Sequence, residues 1–183
     1  MPSNAFIRFL KSAPSTIFMP GESYQETHPG TQGWVEISDW GWEVEAETSF
    51  LKGGGSAVGK PQPGNMTFSH YYDLSSPQLM MNIVRGTTFP IVTVDFLKQT
   101  GTGTPQVFLR VQGSEVFITK VSTKGGEDGA VTQDIEMVFK EIAIGYKVQD
   151  NNGSLEKIVN QFAWNVAHMN EEVNPVILPG SMT

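Results

Sequence analysis

No cysteine occurs among the 183 residues. Disulfide staples, thiolate nucleophiles and cysteine-based zinc sites are therefore excluded, and the redox compartment is left open. Histidine is scarce: His28, His70 and His168 are the three, and none stands in an H-x-x-x-H arrangement that aims two imidazoles at one metal. Each is expected at the surface or in a hydrogen bond. No G-x-S-x-G elbow is present to activate a serine. Basic residues are few as well. Twelve Lys and Arg against nineteen Asp and Glu leave a net charge of -7, which argues against the basic surface that drives binding to nucleic acid. No stretch approaches the roughly 18 consecutive apolar residues of a membrane span. The opening "MPSNAFIRFLKSAPS" carries Arg8 and Lys11 inside its apolar stretch, not ahead of it as a secretory signal does. The expectation is a protein without these catalytic motifs and with no metal, no cofactor, no nucleic-acid partner and no membrane insertion.

What is present is a series of short β-type runs separated by Gly, Pro, Asn and Ser clusters, the pattern of an all-β sandwich or barrel. Strands are expected near 5–10, 34–38, 41–50, 65–72, 89–98, 106–112, 115–122, 133–148 and 161–168. At 89–98, Val92, Val94 and Phe96 share one face, with Thr93 and Asp95 on the other, so a half-buried wall is expected. Around Gly113 the apolar parity shifts, which predicts a bulge in one long strand or a tight turn between two. In 133–148 the apolar set passes from Ile135, Met137 and Phe139 to Ile142, Ile144 and Tyr146. That pattern fits either a bulge or a second face that meets another subunit. One helix is expected at "DLSSPQLMMNIVRG", with Ser76 as cap, Pro77 in the first turn and Gly86 at the left-handed exit. Its stripe of Leu79, Met80, Ile83 and Val84 is expected to pack on the sheet.

Three motifs invite a sharper function. "LKGGGSAVGKPQPG", residues 51–64, has Gly54, Gly59 and Lys60 at phosphate-loop spacing. The next residue is Pro61, which supplies neither the hydroxyl nor the helix that such a loop needs, so a long flexible connection is the better reading. Glu43, Glu45 and Glu47 lie on one side of a strand, nearly 7 Å apart at a rise of about 3.4 Å per residue, too far to share one hard cation. A solvated face is expected. Trp34, Trp40, Trp42 and Trp164 are the residue type that stacks on sugars, and a carbohydrate-binding β-sandwich is the alternative function. The pair Trp40 and Trp42 equally suits the end of a barrel.

The ordered set "AFIRFL", "GWVEISDWGWEV", "MTFSHYYDLSSPQLMMNIVRG", "FPIVTVDFLKQ", "VFLRVQGSEVFITKVS" and "QDIEMVFKEIAIGYKVQDNNG" resembles the haemolysin-coregulated protein family, Hcp, the tube protein of bacterial type VI secretion. The match spans roughly residues 4 to 168, anchored by Asp73-Leu74-Ser75-Ser76-Pro77 with Leu79, by Tyr146 before an Asp-Asn-Asn-Gly turn, and by "FAWNV", where Asn165 replaces a common aspartate. The resemblance implies one domain over 1–168 with a flexible extension over 169–183. The implied fold is mainly β, a small β-barrel of two packed antiparallel sheets with one flanking short helix and an extended loop. It further implies a structural homohexameric ring that stacks into a tube, with contractile sheath, spike protein and secreted effectors as partners. Residence would be in the bacterial cytoplasm before firing, then outside without a cleaved signal. The loop of Lys52, Gly53, Gly54, Gly55, Ser56, Ala57, Val58, Gly59 and Lys60 would be the ring-stacking contact.

Overall fold

The computed structural model describes residues 4–12, 17–49, 57–101, 103–148, 155 and 160–179. Alternating side chains set the centre of the sheet. In β1 (Ala5–Ser12) Ile7 and Phe9 point inward opposite Val94 and Val92 of β10 (Phe89–Lys98). The other edge of β10 pairs with β11 (Gln106–Gly125). Phe9, Phe68, Phe89, Ile118, Met137 and Ile142 fill the interior behind them. Phe9 lies with its ring centroid 4.9 Å from that of Phe89.

The sheet runs β2 (Ile17–Phe18), β1, β10, β11, β12 (Val131–Val138), β9 (Met66–Tyr71) and β6 (Asp39–Gly41). β13 (Glu141–Tyr146) pairs with β11 and with β14 (Asn160–Asn165), and β5 (Trp34–Glu36) pairs with β1. The expected mainly β, antiparallel fold with one helix is what forms. The strands join through the long β11 into one ten-stranded antiparallel network whose two halves pack face to face, Phe9 of β1 lying 5.9 Å from Phe68 of β9 between ring centroids, and they do not complete a closed barrel. Residues 34–41 bridge the two sides of the curl. Their first half pairs with β1 and their second with β9, with Ile37 N donating to Ala5 O at 3.0 Å and Ser38 N to Ser69 O at 2.8 Å. Apart from this sheet stand two ribbons, β3 (Tyr24–Gln25) with β4 (His28–Pro29), and β7 (Val44–Ser49) with β8 (Ala57–Pro63).

The parity shift at Gly113 resolves as a continuous bent strand. Glu115 takes φ 48°, and β11 pairs with β13 through residues 109–114 and with β12 through 117–125. The segment read as a single strand over 133–148 is two strands, broken at Phe139 and Lys140, whose N–H donates to Ser114 O at 3.0 Å. The outer face of β10 is also not the wet side that alternation suggests. Thr93 and Asp95 are both buried, because the segment carrying β2 to β5 folds over them and forms a second apolar cluster of Phe6, Trp34, Leu97 and Val107. Close approach there requires glycine: a Cβ on Gly30 would sit 2.4 Å from Gly21 O.

The helix α1 (Ser76–Arg85) begins at Ser76, so Ser76 is not its cap. Its hydroxyl turns back to accept from Asp73 N at 3.0 Å, while the Asp73 carboxylate accepts from Ser75 N at 2.9 Å. Gly86 makes the expected left-handed exit at φ 64°. Beyond residue 168 the expected flexible extension lies against the body through residue 179. Asn165 bridges to Asn170, and Ile177, in the short 3-10 turn Pro175–Ile177, has no exposed surface. An apolar side chain sealed in this way anchors the segment.

Candidate assembly surface

The ribbon β7–β8 carries the loop singled out in the sequence. Ala57, Val58, Gly59 and Lys60 belong to β8, whereas Lys52, Gly53, Gly54, Gly55 and Ser56 lie outside the described residues. Lys60 is thus followed by strand, not by the helix start that phosphate binding requires, and the flexible connection is in part a paired ribbon. Gly64 N donates to Glu43 O at 2.9 Å. Pro61 and Pro63 alternate with Gly64, so their nitrogens face away from β7 and block the outer edge of β8 from further pairing. Glu43 and Glu45 are exposed, as a solvated face requires. At its base, Val44, Pro61 and Pro63 face Phe162 and Trp164 across a cleft of about 420 Å³. Beyond that base the ribbon pairs only with itself among the described residues. Isolated two-stranded ribbons are marginal in water without a surface to pack on.

The opposite end of the sheet holds a larger groove, about 700 Å³. Phe96 and Lys98 at the end of β10, Phe108 on β11, Tyr71 at the end of β9, and Tyr146 with Lys147 at the end of β13 line it. Burial and the neighbouring Arg110 guanidinium pull the Lys147 ammonium below its ordinary value. Sequence reasoning missed this groove because its residues come from four strand ends far apart in the chain.

Along the side, α1 divides. Leu79 is fully buried and Ile83 packs on the core, but Met80 is 37% and Val84 82% exposed, with Met81 beside them. The expected four-residue stripe is therefore two residues wide on the inside. Met80 and Val84 form part of an outward apolar face, the kind of patch that marks contact with another chain.

Behind the surface lies an ionic network that alternation alone did not reveal. Arg110 Nε donates to Asp95 Oδ1 at 2.6 Å and its Nη2 to Oδ2 at 2.7 Å, a bidentate pair, while His28 Nε2 lies 3.0 Å from Oδ2. Burial would raise the Asp95 carboxyl, but the hydrogen bonds from Arg110 and His28 overcome it and hold the group below its usual value. Arg8 lies nearby, its guanidinium 4.1 Å from the Phe18 ring centroid and 4.5 Å from that of Trp34. A second buried histidine, His70, is pulled below its usual value by burial and meets Gln133 Oε1 at 3.2 Å. Both are held in hydrogen bonds, as expected. No group of three or more His, Asp or Glu suited to a metal ion occurs among the described residues.

The tryptophans serve packing first. Trp34 is 3% exposed and meets His28 at a tilt with ring centroids 4.3 Å apart, Trp40 meets Phe96 edge-on at 5.5 Å, and Trp42 packs against Phe139 and Phe162.

Comparison with known proteins follows the same lines. Residues 9–146 match the family described as "Type VI secretion system effector, Hcp". Protein hcp1 of Pseudomonas aeruginosa is 28% identical over 148 residues, covering 80% of this chain and 88% of that protein. Among solved structures, one described as a type six secretion system protein superposes with a TM-score of 0.79 at 20% identity, covering 92% of this chain and 98% of the other. Hcp1 from Salmonella typhimurium gives 0.66 at 24% identity, with 92% and 99% covered. At such identities the superpositions speak for the fold.

Proposed function

Since the chain belongs to the Hcp family of type VI secretion, we propose that it is a structural, noncatalytic subunit of the secretion tube, closing into six-membered rings that stack head to tail. The observation that carries the reading is the ribbon β7–β8, which is outside the ten-stranded sheet and has no partner beyond its base among the described residues. Its own pairing cannot account for its retention, and contact with a neighbouring ring can. The outward apolar face of α1 and the exposed strand-end tyrosines supply further surface of the kind that assembly covers. A heterologous contact that closes makes a ring, and one that does not close propagates as a filament. The tube needs both, one around the ring and one along the stack. Within this reading the chain resides in the bacterial cytoplasm until firing, leaves with the tube without a cleaved signal, and carries effectors in the ring lumen, with sheath and spike as partners.

The test is to shorten the ribbon. Glu45 and Gln62 face each other across it, so replacing residues 46–61 by Asn-Gly joins them through a two-residue turn of the favoured hairpin type. Single rings are expected to persist by native mass, and tubes in electron micrographs and secretion of the protein to disappear. Normal tubes from the shortened chain would refute the ribbon's role in stacking.

A further inference from the structure

His70 lies near the end of β9, where the chain leaves the sheet and turns into α1, and it is 1% exposed. Directly across the strand pair, Gln133 Oε1 meets its Nε2 at 3.2 Å, and the Gln133 amide donates from its own nitrogen to Thr123 Oγ1 at 2.9 Å. That bond fixes Oε1 as the acceptor, so the imidazole carries its proton on Nε2. Nδ1 is buried and meets no partner at hydrogen-bond distance among the described residues. It faces the Asp73 carboxylate, whose Oδ1 is 3.7 Å away. A buried nitrogen left in this way calls for an explanation.

Asp73 is the residue that shapes the start of the helix. Its carboxylate accepts from Ser75 N at 2.9 Å and from the Ser75 hydroxyl, while its own N–H donates to Ser76 Oγ at 3.0 Å and its carbonyl accepts from Ser76 N at 3.1 Å. Ser75 and Ser76 have no exposed surface, so the turn is a sealed joint between β9 and α1. One carboxylate thus holds the joint and faces the unpaired nitrogen. The other groups against the imidazole do not titrate: β12 offers Gln133, β11 offers Thr123 behind it, and β9 offers the Phe68 ring at 5.7 Å. The ion pair of Lys124 with Asp134, which also accepts from Ser69 Oγ, lies on the opposite, exposed face of these strands.

We propose that His70 is an acid-sensing switch for α1: a proton taken up from solvent at Nδ1 draws the Asp73 carboxylate out of the turn and loosens the helix with its outward face of Met80, Met81 and Val84. Closing 3.7 Å to the roughly 2.8 Å of a charge-assisted bond displaces the carboxylate by about 1 Å, enough to break its bond with Ser75 N. Burial pulls the imidazole below its ordinary value, against the opposing effects of Asp73, the Gln133 bond and the Tyr71 backbone. It is therefore neutral near pH 7, and the joint is closed. Because the folded value lies below the unfolded value of about 6.5, the stabilisation is present above that pH and is lost as pH falls through the folded value. The step from His70 to α1 stands on these contacts alone. The step from α1 to the ring rests on the assembly reading above.

The test is hydrogen exchange of the parent chain from about pH 7.5 down to about pH 4, corrected for the intrinsic effect of pH, beside that of His70→Gln, which keeps a polar neighbour for Gln133 but does not titrate. In the parent, protection of the amides of Ser75, Ser76, Gln78 and Leu79 is expected to fall by up to about tenfold at about pH 5.5, one unit below the ordinary histidine value. It is expected to hold there in His70→Gln, and β10 is expected to hold in both. Native mass spectrometry near the assembly threshold should show the parent losing rings at the same pH and the variant keeping them. Unchanged parent protection, or an equal loss in His70→Gln, overturns the switch. A parent loss that begins only below about pH 4 belongs to the carboxylates and overturns it as well, an arm that needs no variant. Rings that persist while the helix start loosens overturn the step from α1 to the ring. A parent that forms no ring even near neutral pH overturns the assembly reading, and the exchange data still judge His70.

Discussion

Asp95→Asn is expected to lower the stability of the subunit by about 3–5 kcal/mol, the usual cost of removing one partner from a buried ion pair. On a chain of this size that is a fall in melting temperature of roughly 10 °C. The reason is what remains. Asp95 has no exposed surface, and its carboxylate accepts two hydrogen bonds from Arg110 and a third from His28, with Arg8 close by. An asparagine keeps the shape but removes the negative charge that faces the guanidinium groups of Arg8 and Arg110. The pH dependence has a definite sign. The folded-state value of Asp95 lies below its unfolded value, so the stabilisation is present above the unfolded value of about 3.9 and is lost as pH falls through the folded one. The difference in stability between the parent chain and Asp95→Asn is therefore expected to narrow below about pH 4. A constant difference from pH 7 to pH 3, followed by chemical denaturation at one protein concentration, would contradict the account of this network.

Leu79→Asp is expected to prevent folding. Leu79 is fully buried where α1 meets the core, so the change forfeits about 2–5 kcal/mol of packing and places an unpaired charge there at a cost of several more. The sum is comparable with the entire stability of a typical domain. Position, not helix membership, decides the effect. Leu79→Met is expected to cost less than about 1.5 kcal/mol. Val84→Asp, on the exposed side of the same helix, and Pro77→Ala, exposed in the first turn, are each expected to stay within about 0.5 kcal/mol. Circular dichroism of the Leu79→Asp chain showing a parent-like spectrum and melting temperature would overturn the packing described for α1.

These two residues also mark where sequence reading succeeds and where it stops. Leu79 was legible because helical spacing, a proline in the first turn and a terminal glycine act over ten neighbouring residues. The same spacing placed Met80 and Val84 in the stripe as well, since periodicity locates an apolar arc but not the width that a single neighbour covers. Asp95 was read as the wet side of a half-buried strand. Its partner His28 is 67 residues away, and no local pattern announces that residues 17–34 fold over that face. The ribbon was hidden for a different reason. Gly53 to Gly55, Pro61 and Pro63 are loop signals, yet alternate prolines are compatible with the outer edge of a two-stranded pair. The strand-end groove was invisible because its members share only the end at which their strands stop.

The central claim, that this chain closes into a ring, is tested most directly by native mass spectrometry at micromolar concentration. The account predicts a dominant species at six times the chain mass, together with its multiples as concentration rises. A folded chain that remains a monomer across the whole concentration range would contradict it.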